Sequence, residues 1–165
     1  MLPNYEALYL YQICDVNLSS RINQLCLEPM KTYPLVDNDC IDERQCKIVK
    51  TKSFKAEAKD NEEFYRAFKG DIILCLKQNF IKGDLTAAIV HEDEIFVPKN
   101  FAILTPKKYK HSDLIMWAFH QDYVLSQIKP LNIGRSFFQV TVEELSKVLV
   151  PIEMYQEFNM HKDII

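Results

Sequence analysis

The chain has 165 residues, of which 48% are hydrophobic and 26% charged, and its formal net charge is -3. This length suits one domain with an ample core, and every apolar run is far shorter than the roughly 20 residues of a membrane span. The five cysteines are irregularly spaced. That spacing argues against a disulfide framework, so we expect a protein of the reducing cytoplasm, without a signal peptide and away from the membrane.

Positive charge is concentrated in the middle of the chain. Residues 47–82 carry nine basic and five acidic groups, whereas residues 1–46 carry three basic and seven acidic ones. Residues 95–112 hold four lysines and no acid. A local basic surface can attract an anion even on a mildly acidic protein. Such lysines can also simply keep loops in water, and charge alone leaves both interpretations open.

The first third of the chain gives mixed structural signals. Residues 8–16 suit either a helix packed on a sheet or an irregular lead-in, and residues 17–23 are polar and predict a loop. Residues 31–36 are strand-like, but Pro34 restricts that strand to an edge or a bulge because proline donates no backbone hydrogen bond. Residues 45–54 partly alternate between apolar and polar, which indicates another strand.

The clearest strands lie further along the chain, after a charged segment at residues 56–68 that predicts a short helix or a mobile loop. Short apolar runs with turn residues at each end are typical of buried strands. We expect the runs at 72–76, 87–90 and 101–104 to share one sheet. The run at 95–97 precedes a break at Pro98 and is a further short strand.

Two helices are predicted after these strands. Residues 114–126 have apolar residues three and four positions apart, and Trp117 is expected to pack on the sheet. Thr141 and Glu144 have the spacing of a capping box ahead of a short helix, which leads into a strand ending at Pro151. Together the elements predict an α+β fold with a twisted, mixed or antiparallel sheet and a few packed helices.

No pattern in the sequence points to catalysis, a metal or a cofactor. The cysteines form no Cys-x-x-Cys pair, the histidines no His-x-x-x-His pair, and neither a G-x-S-x-G elbow nor a Walker loop is present. Cys75 lies within an apolar run, which predicts a buried, inert thiol. The sequence therefore favours a binding protein over an enzyme.

The order of the segments is more informative than any one of them. A Lys-Gly-Asp-Ile-Ile-Leu strand is followed by Ala-Ala-Ile-Val, an Asn-x-x-x-Leu-x-Pro strand, an aromatic helix, a Gly-Arg-Ser loop and a short helix feeding a strand that ends in Pro-Ile. This ordered set resembles the target recognition domain of type I restriction-modification specificity subunits. The matching segments are residues 69–74, 87–90, 100–106, 112–127, 134–136 and 142–151.

The chain also departs from that family. The loop at 77–82 lacks the usual glycines, and the family's Pro-rich entry to a long helix is reduced to residues 150–157. The resemblance implies one recognition domain over residues 1–165, with 151–165 as the start of a truncated C-terminal helix. The long helices that space two such domains, and that dock methyltransferase subunits, are expected to be missing.

What the resemblance implies is sequence-specific binding of duplex DNA, with methylation and cleavage left to partner subunits. Methyltransferase (modification) subunits are the implied protein partners. Lysines suit phosphates, arginine suits guanine, and glutamine or asparagine suits adenine. The alternative is a protein-interaction module of the same fold that has lost DNA binding. The candidate DNA-binding residues are Lys77, Gln78, Asn79, Lys82, Lys99, Lys107, Lys108, Lys110, Arg135, Ser136 and Gln139.

Overall fold

A computed structural model describes residues 7–23, 25–42, 44–57, 63–79, 86–108, 111–128 and 137–152. At its centre, strands β2 (Cys14–Val16), β8 (Ile72–Cys75), β10 (Ala87–Ile89) and β12 (Phe101–Pro106) form an antiparallel sheet. We call it the central sheet, and its strand order is β10-β8-β12-β2. The prediction that the three middle runs share one sheet is therefore confirmed.

Strand β8 is buried on both faces, which explains its continuous apolar run. Ile72 and Leu74 belong to one hydrophobic cluster, with the helices, while Ile73 and Cys75 belong to another, with a second sheet. Alternate side chains of a strand point to opposite faces. The central sheet thus lies between a helical layer and a sheet layer, and every residue of β8 is shielded from water.

The second layer, the outer sheet, contains β3 (Thr32–Leu35), β6 (Lys52–Lys55), β7 (Phe64–Phe68) and β11 (Glu94–Pro98). Its order is β6-β3-β11-β7, with only β3 and β11 parallel. Four aromatic rings cover its other face in a small separate cluster of Tyr33, Phe54, Phe64 and Phe96.

Shorter elements complete the described part of the chain. The helices are α1 (Leu10–Ile13), α2 (Ser19–Ile22), α3 (His111–Ala118), α4 (Asp122–Ile128) and α5 (Val142–Ser146), with a 3₁₀ turn at Asn38–Cys40. Three strand pairs lie apart from the two sheets: β1 (Ala7–Tyr9) with β14 (Leu149–Pro151), β4 (Ile41–Asp42) with β5 (Lys47–Ile48), and β9 (Lys77–Asn79) with β13 (Phe137–Gln139). Within the residues that the structure describes, no helix is long and apolar enough to cross a membrane.

The predicted helix at 114–126 is two helices, α3 and α4. The backbone tightens where they meet, since His120 and Gln121 donate to carbonyls three residues back. Phe119 is buried at this break, and residues from both helices reach the same core. The break therefore lies where two helices pack into one hydrophobic cluster. The Thr141 cap is confirmed, because its Oγ1 accepts from the Glu144 amide at 3.1 Å.

Other predictions for residues 17–68 were wrong in detail. Residues 64–68 form strand β7, which pairs with β11 along its full length, so tertiary pairing overrides the helical propensity of the charged segment. Residues 19–22 form a helical turn, and 45–54 contain two strands rather than one.

Pro34 lies in an inner strand, contrary to the edge or bulge that was predicted. Strand β3 is flanked by β6 and β11. However, the pairing of β3 with β11 is short: Leu35 lies opposite Phe96, and the Val36 amide donates to the Phe96 carbonyl. The missing N–H of Pro34 therefore breaks no ladder on that side.

Candidate nucleic-acid interface

The structure brings two of the predicted DNA-binding segments together. Strands β9 and β13 are antiparallel, with Lys77 opposite Gln139 and Asn79 opposite Phe137. The pairing extends one residue further, because the Val140 amide donates to the carbonyl of Leu76, the residue between β8 and β9, at 3.0 Å. We call this pair the Lys77 ribbon. It joins residues about sixty positions apart in sequence into one antiparallel pair.

Lys99 lies at the same end of the central sheet as the Lys77 ribbon. It occupies the turn between β11 and β12, and the Leu76 amide donates to the carbonyl of the next residue, Asn100, at 2.8 Å. Lys99 is exposed, and its Nζ is 5.9 Å from the centre of the Tyr65 ring. Among the described residues it has no acidic partner.

Lys107 and Lys108 lie at the opposite end. They follow β12, whose Phe101 faces Cys75 and whose Leu104 faces Ile72. Strands rise about 3.3 Å per residue, so roughly 20 Å separates this end from the Lys99 turn. The Lys107 amide donates to the Ile13 carbonyl at 2.9 Å, and both lysine side chains are exposed. Among the described residues, Lys99 and the Lys107–Lys108 pair therefore lie at opposite ends of the central sheet.

Four of the predicted residues lie outside the described residues: Lys82, Lys110, Arg135 and Ser136. Ser136 directly precedes Phe137, which is the partner of Asn79 in the Lys77 ribbon. The two predicted loops therefore adjoin the two strands of one ribbon in sequence.

An ion pair between Arg21 and Asp71, which the sequence did not reveal, lies directly before the first residue of β8. Asp71 is buried, and its carboxylate accepts from Arg21 Nε at 2.7 Å, from Arg21 Nη2 at 3.3 Å and from the Phe68 amide at 2.9 Å. The Arg21 guanidinium also lies 4.6 Å from the centre of the Phe68 ring. A carboxylate taken out of water is strongly destabilising unless a cation or hydrogen bonds compensate it. Arg21 is fifty residues away from Asp71 in the sequence, so no local pattern identifies it as the partner.

Gly70 allows the chain to turn towards this ion pair. Its φ of +91° is in the region that disfavours side chains. Its amide donates to the Val90 carbonyl and its carbonyl accepts from Ser112 Oγ, both at 2.9 Å. The Gly-Asp step thus joins β8, β10 and α3.

The burial and contacts of three cysteines bear on whether any of them is reactive. Cys75 is 1% exposed, so its predicted burial is confirmed, while its lack of reactivity stays a prediction. Burial raises the pKa of the Cys14 thiol to about 12, with the nearby Asp15 carboxylate adding to the effect. Cys46 Sγ lies 3.1 Å from His120 Nε2. In the described ranges, no three His, Cys, Asp or Glu side chains are grouped to hold a metal ion.

Comparisons with known proteins find similarity at the level of structure. No family model matches the chain, and no curated protein matches it by sequence. A chain from a study of complex assembly and conformational transition of the type I R-M system superposes with a TM-score of 0.70 and 19% identity. The HsdS subunit from Thermoanaerobacter tengcongensis superposes with a TM-score of 0.66 and 16% identity.

These superpositions cover 98% and 99% of this chain. The chain has a target-recognition-domain-like fold. It spans only 42% and 44% of the length of those two proteins. The resemblance inferred from the order of the sequence segments is therefore confirmed for the fold, as is the α+β class with twisted sheets.

Proposed function

We propose that this chain is a sequence-specific duplex-DNA recognition module without catalysis of its own. The observation that carries the proposal is the Lys77 ribbon, an antiparallel pair with a Lys-Gln-Asn segment in one strand and Gln139 in the other. The major groove of B-DNA is wide enough to admit a two-stranded β-ribbon. Glutamine and asparagine can each make paired hydrogen bonds to adenine there.

The charge around the Lys77 ribbon supports the same proposal. Lys99 is exposed at that end of the sheet and has no acidic partner in the described part of the chain. Phosphate contacts by lysines orient a protein on the duplex, while contacts to base edges select the sequence. We assign Lys77, Lys82 and Lys99 to phosphates. Gln78, Asn79, Arg135 and Gln139 are assigned to base edges, with Ser136 as a further polar contact.

Lys107, Lys108 and Lys110 stay a separate prediction. The first two lie roughly 20 Å from the Lys99 turn by strand geometry. A duplex seated on the Lys77 ribbon reaches them only if it also runs along the sheet. They are therefore assigned to the flanking backbone rather than to the recognised bases.

The fold likeness also supports a place for the chain in a larger assembly. One of the similar chains comes from a study of how the type I R-M system assembles. We propose that this chain likewise acts beside modification subunits in the cytoplasm, which would carry the chemistry. Residues 1–165 would then form one recognition domain.

Two variants test the assignment of Gln78 to base edges and of Lys77 to phosphates. Gln78→Ala should relax the preference at particular bases by roughly 1–3 kcal/mol if its contact is bidentate. Lys77→Ala should instead weaken binding to all sequences equally and flatten the salt dependence. Both are measured by fluorescence anisotropy on a selected duplex and on single-base variants of it. Equal effects of the two substitutions on all duplexes would contradict the assignment.

A further inference from the structure

A cysteine and a histidine, neither of them among the predicted DNA-binding residues, meet from distant parts of the chain. Cys46 lies in the turn between β4 and β5, and His120 lies at the break between α3 and α4. Cys46 Sγ is 3.1 Å from His120 Nε2, which is hydrogen-bonding distance for a sulfur atom. The two residues are 74 positions apart in the sequence, so only the fold brings this thiol and this imidazole together.

The turn between β4 and β5 holds Cys46 in an unusual backbone conformation. Asp42 Oδ1 accepts from the Arg44 amide at 2.9 Å and from the Gln45 amide at 3.1 Å. Cys46 then has a φ of +53°, which a residue other than glycine adopts at a cost in free energy. Its side chain packs against the helical cluster, whereas the isoleucines of β4 and β5 pack against the cluster between the two sheets. These contacts hold the thiol at the helical layer, beside the imidazole.

The surroundings of Cys46 differ from those of the other four cysteines. None of the five forms a disulfide, and three are buried: Cys14, Cys40 and Cys75. Cys26 is exposed, but no histidine is hydrogen-bonded to it among the residues that the structure describes. Cys46 is half-buried, and His120 beside it is exposed. Within the described ranges, Cys46 therefore combines access from solvent with an adjacent imidazole, whereas the other cysteines do not.

We propose that Cys46 and His120 form a modification site that reacts with disulfides of low molecular mass. The thiolate is the nucleophile in thiol–disulfide exchange, so the thiol must first lose its proton. An imidazole within hydrogen-bonding distance takes that proton and stabilises the thiolate as an ion pair. With the ring proton of His120 on Nδ1, its Nε2 is the atom that accepts from the Cys46 thiol.

The exchange step balances with the disulfide as its one co-reactant. Cys46 Sγ attacks one sulfur of the disulfide, a new S–S bond forms to Cys46, and the original S–S bond breaks. The leaving thiolate takes the proton from His120 Nε2 and departs as a thiol. Cys46 is thereby oxidised, the departing half of the disulfide is reduced, and the imidazole returns to its neutral form. The product is a mixed disulfide at the contact between the β4–β5 turn and the helical layer.

Competition between the cysteines of the native full chain tests the proposal. The probe is bis(2-hydroxyethyl) disulfide, which is small and uncharged, and peptide mass spectrometry follows the adduct at each cysteine over time. Exposure alone predicts that Cys26 reacts first. We expect Cys46 to react about tenfold faster than Cys26, because an unassisted thiol is mostly protonated at about pH 7. A faster reaction at Cys26 than at Cys46 overturns the proposal.

The variant His120→Gln tests whether the histidine is responsible. Glutamine is polar and of similar size, but it does not take a proton from a thiol. Labelling of Cys46 should slow about tenfold, while Cys26 reacts as in wild type. His91→Gln, at an exposed histidine between β10 and β11, is the matched control and should change neither rate.

The direction of the change in His120→Gln distinguishes this chemistry from a loss of structure. Loosening of the break between α3 and α4 would expose Cys46 further and speed its labelling, so slower labelling supports the proposal. A rate at Cys46 that is unchanged or faster in His120→Gln overturns it.

Discussion

Replacing Lys99 by alanine should reduce the salt dependence of DNA binding by one phosphate contact. Each neutralised phosphate adds about 0.9 to the slope of log K against log salt. Between ~50 and ~200 mM salt, wild type should therefore lose about 3.5-fold more affinity than the variant. Stability should change by only about 0.5–1 kcal/mol, because the side chain is exposed and the described residues give it only the Tyr65 ring as a partner.

Lys31→Ala is the matched control for this experiment. Lys31 is also an exposed lysine over a tyrosine, with its Nζ 5.5 Å from the centre of the Tyr33 ring. Strand β3 runs parallel to β11 with Leu35 opposite Phe96, so Lys31 lies at the other end of the outer sheet from Lys99. Fluorescence anisotropy across a salt series should show a wild-type slope for this variant. Equal slopes for both variants would refute the placement of DNA at the Lys77 ribbon.

Three further predictions concern the fold and the thiols. Arg21→Ala should destabilise the protein by about 3–5 kcal/mol in chemical denaturation, since it leaves a buried carboxylate uncompensated; a loss below about 1 kcal/mol would show that water reaches that acid. Thr141→Ala should cost about 1 kcal/mol through the lost helix cap, with Thr141→Ser close to wild type. Cys14 and Cys75 should resist alkylation of the native protein at about pH 8, because both are buried and the Cys14 pKa is about 12; rapid labelling of either, read by mass spectrometry, would contradict the described core.

The strands of the central sheet could be predicted because their signal is local. A run such as Ile72–Cys75 is short, apolar at every position and flanked by turn residues, which is typical of a strand buried on both faces. Strand β7 could not be predicted in the same way. Its sequence mixes aromatic and charged residues, and the pairing with β11 that fixes it comes from 26 or more positions away in the chain. Likewise, the break between α3 and α4 depends on which core both helices must reach.

In the candidate site, too, local composition could be predicted from the sequence, whereas the pairing of distant segments could not. The composition of residues 77–79 predicted a polar, basic segment, but not that it pairs with residues 137–139 as a ribbon. Sequence also placed Lys99 and Lys107 in one basic stretch, whereas β12 sends them to opposite ends of the sheet. Arg21 was missed because its partner Asp71 is fifty residues away, and no local pattern marks the pair.

The central claim is that the chain selects a DNA sequence, and selection from a randomised duplex pool tests it most directly. The wild-type chain should be run at low salt with a non-nucleic polyanion as competitor, because an isolated domain offers few phosphate contacts. We expect a short sequence to be enriched over successive rounds and to resist the polyanion. A pool without enrichment, from which the polyanion displaces DNA freely, would contradict sequence recognition and favour the protein-interaction module.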